Sequence, residues 1–314
     1  MDSRTPLAPP SPAPALCVLG EALIDCVEQS DGSLVPLQGG SPFNLARAAA
    51  RAGARVGYLP PFSSDRFGQR LRQTAEQDGV QVCSPDSACP TSLAMVTVQD
   101  GQPSYSFYRE GVADRDWQPD ALIERLRAGP AGVLHTGSLA IMPPDDGRVL
   151  EVVQAARALG WTISLDINLR PRVARDLEAY RASVWTLIRA ADWVKASEED
   201  WTLLTGGVLS PDRPEPALQA LQELGVRHVA LTFGAQGACL QVDAARAQAA
   251  APTVDVVDTV GAGDTFWGWC LAAWMRHGPA AAGQVHTTLQ HALRAAAINC
   301  SRRGCQPPWA HELG

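Results

Sequence analysis

The chain of 314 residues contains one lysine, Lys195; every other basic side chain is arginine. A phosphate-binding P-loop, G-x-x-x-x-G-K-[ST], is therefore excluded, because Lys195 sits in DWVKASEED, without the glycines that motif needs. No apolar run approaches the roughly 18 residues that span a bilayer. The proline-rich start, residues 1–15, has no apolar core of the kind a secretory signal carries, and reads as a disordered tail. Basic charge is in deficit, with a net charge of −7, which argues against nucleic acid as a partner. The six histidines show no zinc-type spacing, and no G-x-S-x-G nucleophile elbow occurs. GAGDTF lacks the third glycine of a dinucleotide fingerprint, since Phe266 occupies that place. Eight cysteines are scattered with no C-x-x-C pair; Cys83 and Cys89 are expected to be free thiols in a reduced cytosol.

What is present is ordinary for a core-forming protein: 46% hydrophobic and 19% charged residues, at a length that fits one large α/β domain. Apolar strands alternate with amphipathic helices. LCVLGEALIDCV (16–27) reads as an opening strand. Ser41-Pro42 reads as an N-cap with proline at the first helical position, leading into a helix that stops at Gly53. RVGYLPPF and a helix over 65–78 follow. From 131 come AGVLHTG, a helix over 145–159, TISLDIN, a helix over 176–190, DWVKAS and RHVALTFG, then helices over 263–276 and 285–301. This rhythm predicts a mostly parallel sheet covered on both faces. A period-2 segment, SLAMVTVQDGQPSYSFYRE, with Asp100-Gly101 as its hairpin turn, breaks the rhythm. It is expected to form a small β-sheet lid, with lid strands near 33–38 and 91–110. The Ala-rich 244–251 and the tail are the only low-complexity stretches. The nine tryptophans read by default as core or lid residues.

In such sheets ligands bind at the carboxyl ends of the strands. Polar residues fall there repeatedly: Asp25, Gly39-Gly40, Asp166 with Asn168 and Arg170, Lys195 with Ser197, Thr232 with Gly234, and Asp264. The last lies in VVDTVGAGDTFWGW. There Gly261, Ala262 and Gly263 precede an aromatic helix, whose first turn offers unpaired N–H groups and a positive dipole end to an anion. A carboxylate fixed beside an anion hole suits a base next to a phosphoryl group in transfer.

DTVGAGDTF resembles the C-terminal signature of the ribokinase-like (PfkB) carbohydrate kinases, and GGSPFNLARAAARAG resembles their N-terminal glycine-pair motif. The likeness runs from about residue 16 to the end; GEALID, FYREG, DINLRP, KASEED and SRRGCQPPW most resemble bacterial fructokinases. The resemblance implies a three-layer α/β/α sandwich over 16–314 with the lid inserted, and a kinase using ATP and Mg2+. It makes Asp264 the base and Gly261, Ala262 and Gly263 the anion hole. Asp25, Gly39, Gly40 and Asn44 would contact the sugar, with Phe107, Arg109 and Arg170 within reach. On the nucleotide side the family carries N-x-x-E; here Ser197 replaces the Asn and Asp200 the Glu. Lys195, Ser197, Asp200, Thr232, Gly234 and Gly237 are accordingly the expected cofactor-binding residues. Asp258, with backbone at Val260 and Gly304, matches the family's monovalent-cation site, so K+ joins the expected ligands. His291 and Asn299 read as structural.

The expected reaction is D-fructose to D-fructose 6-phosphate in the cytoplasm. A 2-keto-3-deoxygluconate kinase and a non-catalytic sugar sensor on the same scaffold remain open as alternatives. Apolar residues on both parities of the lid, Leu93, Met95 and Val98 among them, predict a homodimer formed through it.

Overall fold

The computed structural model describes residues 15–99 and 102–313; all but the last residue of the 1–15 tail and the Asp100-Gly101 turn lie outside them. Thirteen strands occur among the described residues: β1 Leu16–Val18, β2 Leu23–Glu28, β3 Leu34–Gly39, β4 Val56–Tyr58, β5 Val80–Val82, β6 Ser92–Gln99, β7 Gln102–Tyr108, β8 Val133–Gly137, β9 Thr162–Asp166, β10 Trp193–Ser197, β11 His228–Thr232, β12 Ala238–Val242 and β13 Ala245–Ala249. Nine form the main sheet, in the order β13-β12-β11-β10-β9-β8-β1-β4-β5, and four form a second, β3-β2-β6-β7. The main sheet is parallel from β5 to β11. Only β12 and β13 at one edge run antiparallel. The Ala-rich stretch is thus largely an edge strand.

Because successive strand residues point to opposite faces, the main sheet divides its apolar side chains between two cores. Leu16, Val18 and Ala230 enter one cluster, while Cys17, Val229 and Leu231 enter the other. Helices Ser41–Arg51, Arg66–Gln77, Ala262–His277 and Val285–Cys300 cover the first face; Pro119–Arg127, Asp146–Ala158, Leu177–Ala190, Glu198–Thr205 and Glu215–Glu223 cover the second. The result is an α/β/α sandwich with a smaller sheet attached. Local chemistry sets several helix starts: Asp65 accepts from the Gly68 amide and Asp176 from the Ala179 amide.

Two expectations need correction. The opening run 16–27 is not one strand: β1 belongs to the main sheet and β2 to the lid, broken at Leu19–Ala22, where Gly20 packs against the Pro42 ring. Asp25 therefore sits in the lid, opposite Leu37 and Ala94, rather than at the rim of the main sheet. Ser41 is not an N-cap either; Gly40 holds that place and Ser41 is the first helical residue.

One close approach positions the site. Helix Ala262–His277 is buried along most of its length and lies against helix Ser41–Arg51. At Gly268 a Cβ would stand 2.9 Å from the Leu45 carbonyl oxygen and 3.0 Å from the Ala48 Cβ, so only glycine lets the two helices come this near. The first turns of both helices are thereby brought together.

Candidate active site

Helix Ala262–His277 begins after Gly261, which adopts a left-handed conformation (φ 73°), and no side chain caps it. A Cβ at Gly261 would run into the Cys305 side chain, so the loop after Asn299 fixes a glycine here. The Gly263 and Asp264 amides carry no hydrogen bond among the described residues, whereas Ala262 donates to the Thr259 carbonyl. Two free N–H groups on a positive helix end form an anion-binding cradle, which suits a nucleotide phosphate.

Asp264 projects from this turn and is buried. Its Oδ1 accepts from the Ser41 hydroxyl at 2.7 Å and its Oδ2 from the Asn44 amide at 3.0 Å. Burial raises its pKa above the usual carboxylate range; the bonds from Ser41 and Asn44 and the charges of Lys195 and Arg170 pull the other way. Asn44 Oδ1 is buried with no partner among the described residues, an acceptor fixed beside the carboxylate. Ser41 carries no sequence signal for this role, because its partner Asp264 lies 223 residues away in the chain.

Beneath the same turn lies Lys195. Its Nζ is 2.9 Å from both oxygens of Asp166, both side chains are buried, and a Cβ at Gly263 would stand 3.4 Å from that Nζ.

On the lid side, Asp25 faces the site from β2. Burial pushes its carboxyl up to about 6, opposed first by Arg170 and reinforced by Glu21, Asp258 and Asp264. Gly39 ends β3 where any Cβ would meet the Asp25 carboxylate, and Gly40 turns into the helix at φ 104° against the Glu21 carbonyl. Phe107 is half-buried against Leu23, Ala94 and Leu139. Among the described residues the Arg170 side chain bonds the Asn168 and Leu169 carbonyls, and its charge acts on Asp25, Asp264 and Tyr180. Arg109 is differently placed. It is buried in an ion pair with Asp114 at 2.9 Å, Asp114 also accepts from the Ser92 hydroxyl, and Glu21 lies close enough to act on the Arg109 charge. These partners, Asp114 and Glu21, gave no sign in the sequence.

On the opposite side, Ser197 and Asp200 form a capping box. Ser197 Oγ accepts from the Asp200 amide, and Asp200 Oδ2 accepts from the Ser197 amide and hydroxyl. Asp200 Oδ1 accepts from the Leu169 amide at 2.7 Å, so both carboxylate oxygens are engaged within the fold. Thr232 ends β11, Gly234 follows in open space, and Gly237 abuts the Ala249 carbonyl of the edge strand. Asp258 brings two loops together, accepting from the Val260 amide at 3.0 Å and the Gly304 amide at 2.8 Å. Asn299, fully buried, braces the same pair: it donates to the Val260 carbonyl and accepts from the Gln306 amide. No group of three or more His, Cys, Asp or Glu side chains among the described residues could hold a metal ion. No helix among them is long and apolar enough to cross a membrane.

The pattern that defines the pfkB family carbohydrate kinases matches residues 13–312. A protein named fructokinase from Rhizobium leguminosarum bv. trifolii is 31% identical over 88% of this chain and 84% of its own. A fructokinase from Escherichia coli is 32% identical over 79% of this chain and 80% of its own. Among solved structures, a fructokinase with bound ATP from Xylella fastidiosa superposes with a TM-score of 0.81 at 27% identity, covering 95% of this chain and 96% of that one.

Proposed function

Because the chain belongs to the pfkB family of carbohydrate kinases, we propose that it transfers the γ-phosphoryl group of ATP to a hydroxymethyl group of D-fructose, giving D-fructose 6-phosphate and ADP. The observation that carries this reading is the buried Asp264 carboxylate at an uncapped helix start, gripped by Ser41 and Asn44 and facing the lid residue Asp25. Asp264 takes the proton of the acceptor hydroxyl as its oxygen bonds phosphorus, and the bond from phosphorus to the β-phosphate oxygen breaks, releasing ADP. The Gly261-Ala262-Gly263 turn stabilises the charge spread over the phosphoryl oxygens through the free Gly263 and Asp264 amides, the Ala262 amide being held by the Thr259 carbonyl; phosphoryl transfer depends mainly on such positioning and electrostatics. Asp25, Gly39, Gly40 and Asn44 orient the sugar hydroxyls; Phe107 lies along an apolar face of the ring.

Thr232, Gly234 and Gly237 border the nucleotide. Mg2+ would come bound to the ATP phosphates and would neutralise charge on the group in transfer. Ser197 and Asp200 support that region by holding the Leu169 loop, and Lys195 supports it from below Gly263. Asp258, Val260 and Gly304 frame a K+ site. Fructose is favoured over a sugar acid by the relatives' names and by the commitment of Arg109 to Asp114. The cytoplasm fits eight cysteines that are all unbridged. A homodimer through the lid is supported by exposed Leu34 and Tyr108; Leu93 and Met95 are half-buried, and the Val98 side chain lies outside the described residues.

The test is coupled-assay turnover of ATP with fructose, other ketoses and 2-keto-3-deoxygluconate. Fructose is expected to be the preferred acceptor, and Asp264→Asn to lower kcat by about 10²–10⁴-fold, the usual worth of a general base. No turnover with any acceptor would leave the sugar-sensor reading; an Asp264→Asn enzyme within tenfold of wild type would remove that residue from the mechanism.

A further inference from the structure

The two oxygens of Asp264 are not equivalent. Oδ1 receives the Ser41 hydroxyl at 2.7 Å, and Oδ2 the Asn44 amide at 3.0 Å. Donors and carboxylate are all buried, so water does not substitute for either bond. Asn44 lies one turn beyond Ser41 on the same helix, and its own Oδ1 has no partner among the described residues. The Oδ2 edge of the carboxylate is thus the edge shared with the Asn44 side chain and its unpartnered oxygen, while the Oδ1 edge is the one bonded to the first residue of the helix. Ser41 reaches it only because Gly268 lets the two helices approach so closely.

We infer that Ser41 is a positioning residue for phosphoryl transfer: its hydroxyl anchors Oδ1 of Asp264, so that Oδ2, beside the Asn44 amide, is the oxygen presented to the acceptor hydroxyl. The inference rests on Asp264 being the base. The anchor has two consequences. It fixes the carboxylate's rotation about its side-chain bond, which a single bond from Asn44 would leave free. It also favours the charged form of a carboxylate that burial disfavours. The other charged groups acting on Asp264 come from several elements: Lys195 from β10 and Arg170 from the loop after β9 stabilise its charge. Asp25 from β2, Asp166 from β9 and the Cys305 thiol from the C-terminal loop couple to it. None of these donates a hydrogen bond to Oδ1 among the described residues. Among the described residues Ser41 is thus the single side chain that donates a hydrogen bond to this oxygen.

The experiment compares Ser41→Ala, Ser41→Thr, Asp264→Asn and the Ser41→Ala/Asp264→Asn double variant, each as the full chain, with thermal unfolding as a fold control. Ser41→Ala is expected to lower kcat about 10–100-fold, the range a hydrogen bond to a charged group spans. Its acid limb in the pH profile of kcat/KM should move upward by roughly one pH unit, because the lost bond favoured the ionised form. KM for ATP should hold, and Ser41→Thr, which keeps a hydroxyl, should recover most of the loss. In the Asp264→Asn background Ser41→Ala should have no further effect. Should Ser41→Ala fail to fold, Ser41→Cys, of nearly the same size and a much weaker donor, carries the same expectation. An unmoved acid limb with wild-type kcat overturns the inference, as does an equal loss in the Asp264→Asn background. A fully active Asp264→Asn enzyme overturns the base assignment itself, and Ser41's role with it.

Discussion

Lys195 Nζ lies 2.9 Å from each carboxylate oxygen of Asp166, and the first turn of the Asp264 helix rests against it at Gly263. This is the one lysine of the chain, buried, on β10 directly opposite Asp166 of β9 in the parallel pair. Burial pushes the Asp166 carboxyl up, and the Lys195 ammonium beside it is the main force in the other direction. Each charge is tolerated because of the other.

Lys195→Met should therefore destabilise the protein by about 3–5 kcal/mol, the cost of leaving one partner of a buried pair uncompensated. Urea unfolding measures it. Adding Asp166→Asn to Lys195→Met removes the orphaned charge and should restore most of the stability. A single variant as stable as wild type would mean that Asp166 is neutral in the folded protein.

A second prediction concerns the anion cradle. Gly261→Ala places a Cβ against Cys305 at a left-handed backbone position, so the turn must move. Shifting donors aimed at a transferring group costs about 10²–10³-fold in kcat where such holes have been dismantled. Steady-state kinetics with saturating ATP should show a loss of that size with the fold intact. Adding Cys305→Gly relieves the steric part while leaving the left-handed strain, and should recover activity only in part. Unchanged kcat in Gly261→Ala would detach the turn from the phosphoryl group.

Much of this architecture was legible because it is written locally. The alternation of apolar strands and amphipathic helices gave the sandwich, and Asp65 and Asp176 marked their helix starts by their own side chains. GAGD announced an uncapped helix start because glycine and carboxylate are adjacent in the chain. What was not legible depends on contacts across the sequence. Ser41 and Asp264 are far apart in the chain, and the hydrogen bond between them needs Gly268 to bring two helices together. The break at Gly20, after which β2 enters the lid, packs against the Pro42 ring from another element, where a Cβ would not fit. Arg109 looked available in FYREG, since nothing in that stretch shows Asp114 folding back on it.

That last pair shapes a prediction about substrate charge. Arg109 and Arg170 both lie near the lid, but only Arg170 is without a carboxylate partner among the described residues. With neutral fructose as substrate, Arg170 orients hydroxyls, and Arg170→Gln should cost about 0.5–1.5 kcal/mol in apparent sugar binding. With a sugar acid, Arg170 would hold the carboxylate by a charge-assisted pair, and its loss should cost about 2–5 kcal/mol. Arg109→Gln behaves differently under either substrate: it strands the buried Asp114, so its main effect is lost stability of about 3–5 kcal/mol. The measurement is kcat/KM for fructose and for 2-keto-3-deoxygluconate in the wild type and both variants, with unfolding curves alongside. A small, substrate-neutral loss in Arg170→Gln and an unfolding shift in Arg109→Gln are the expected results. A wild-type preference for the acid that collapses in Arg170→Gln would replace fructose with a sugar acid and leave the kinase chemistry at Asp264 unchanged.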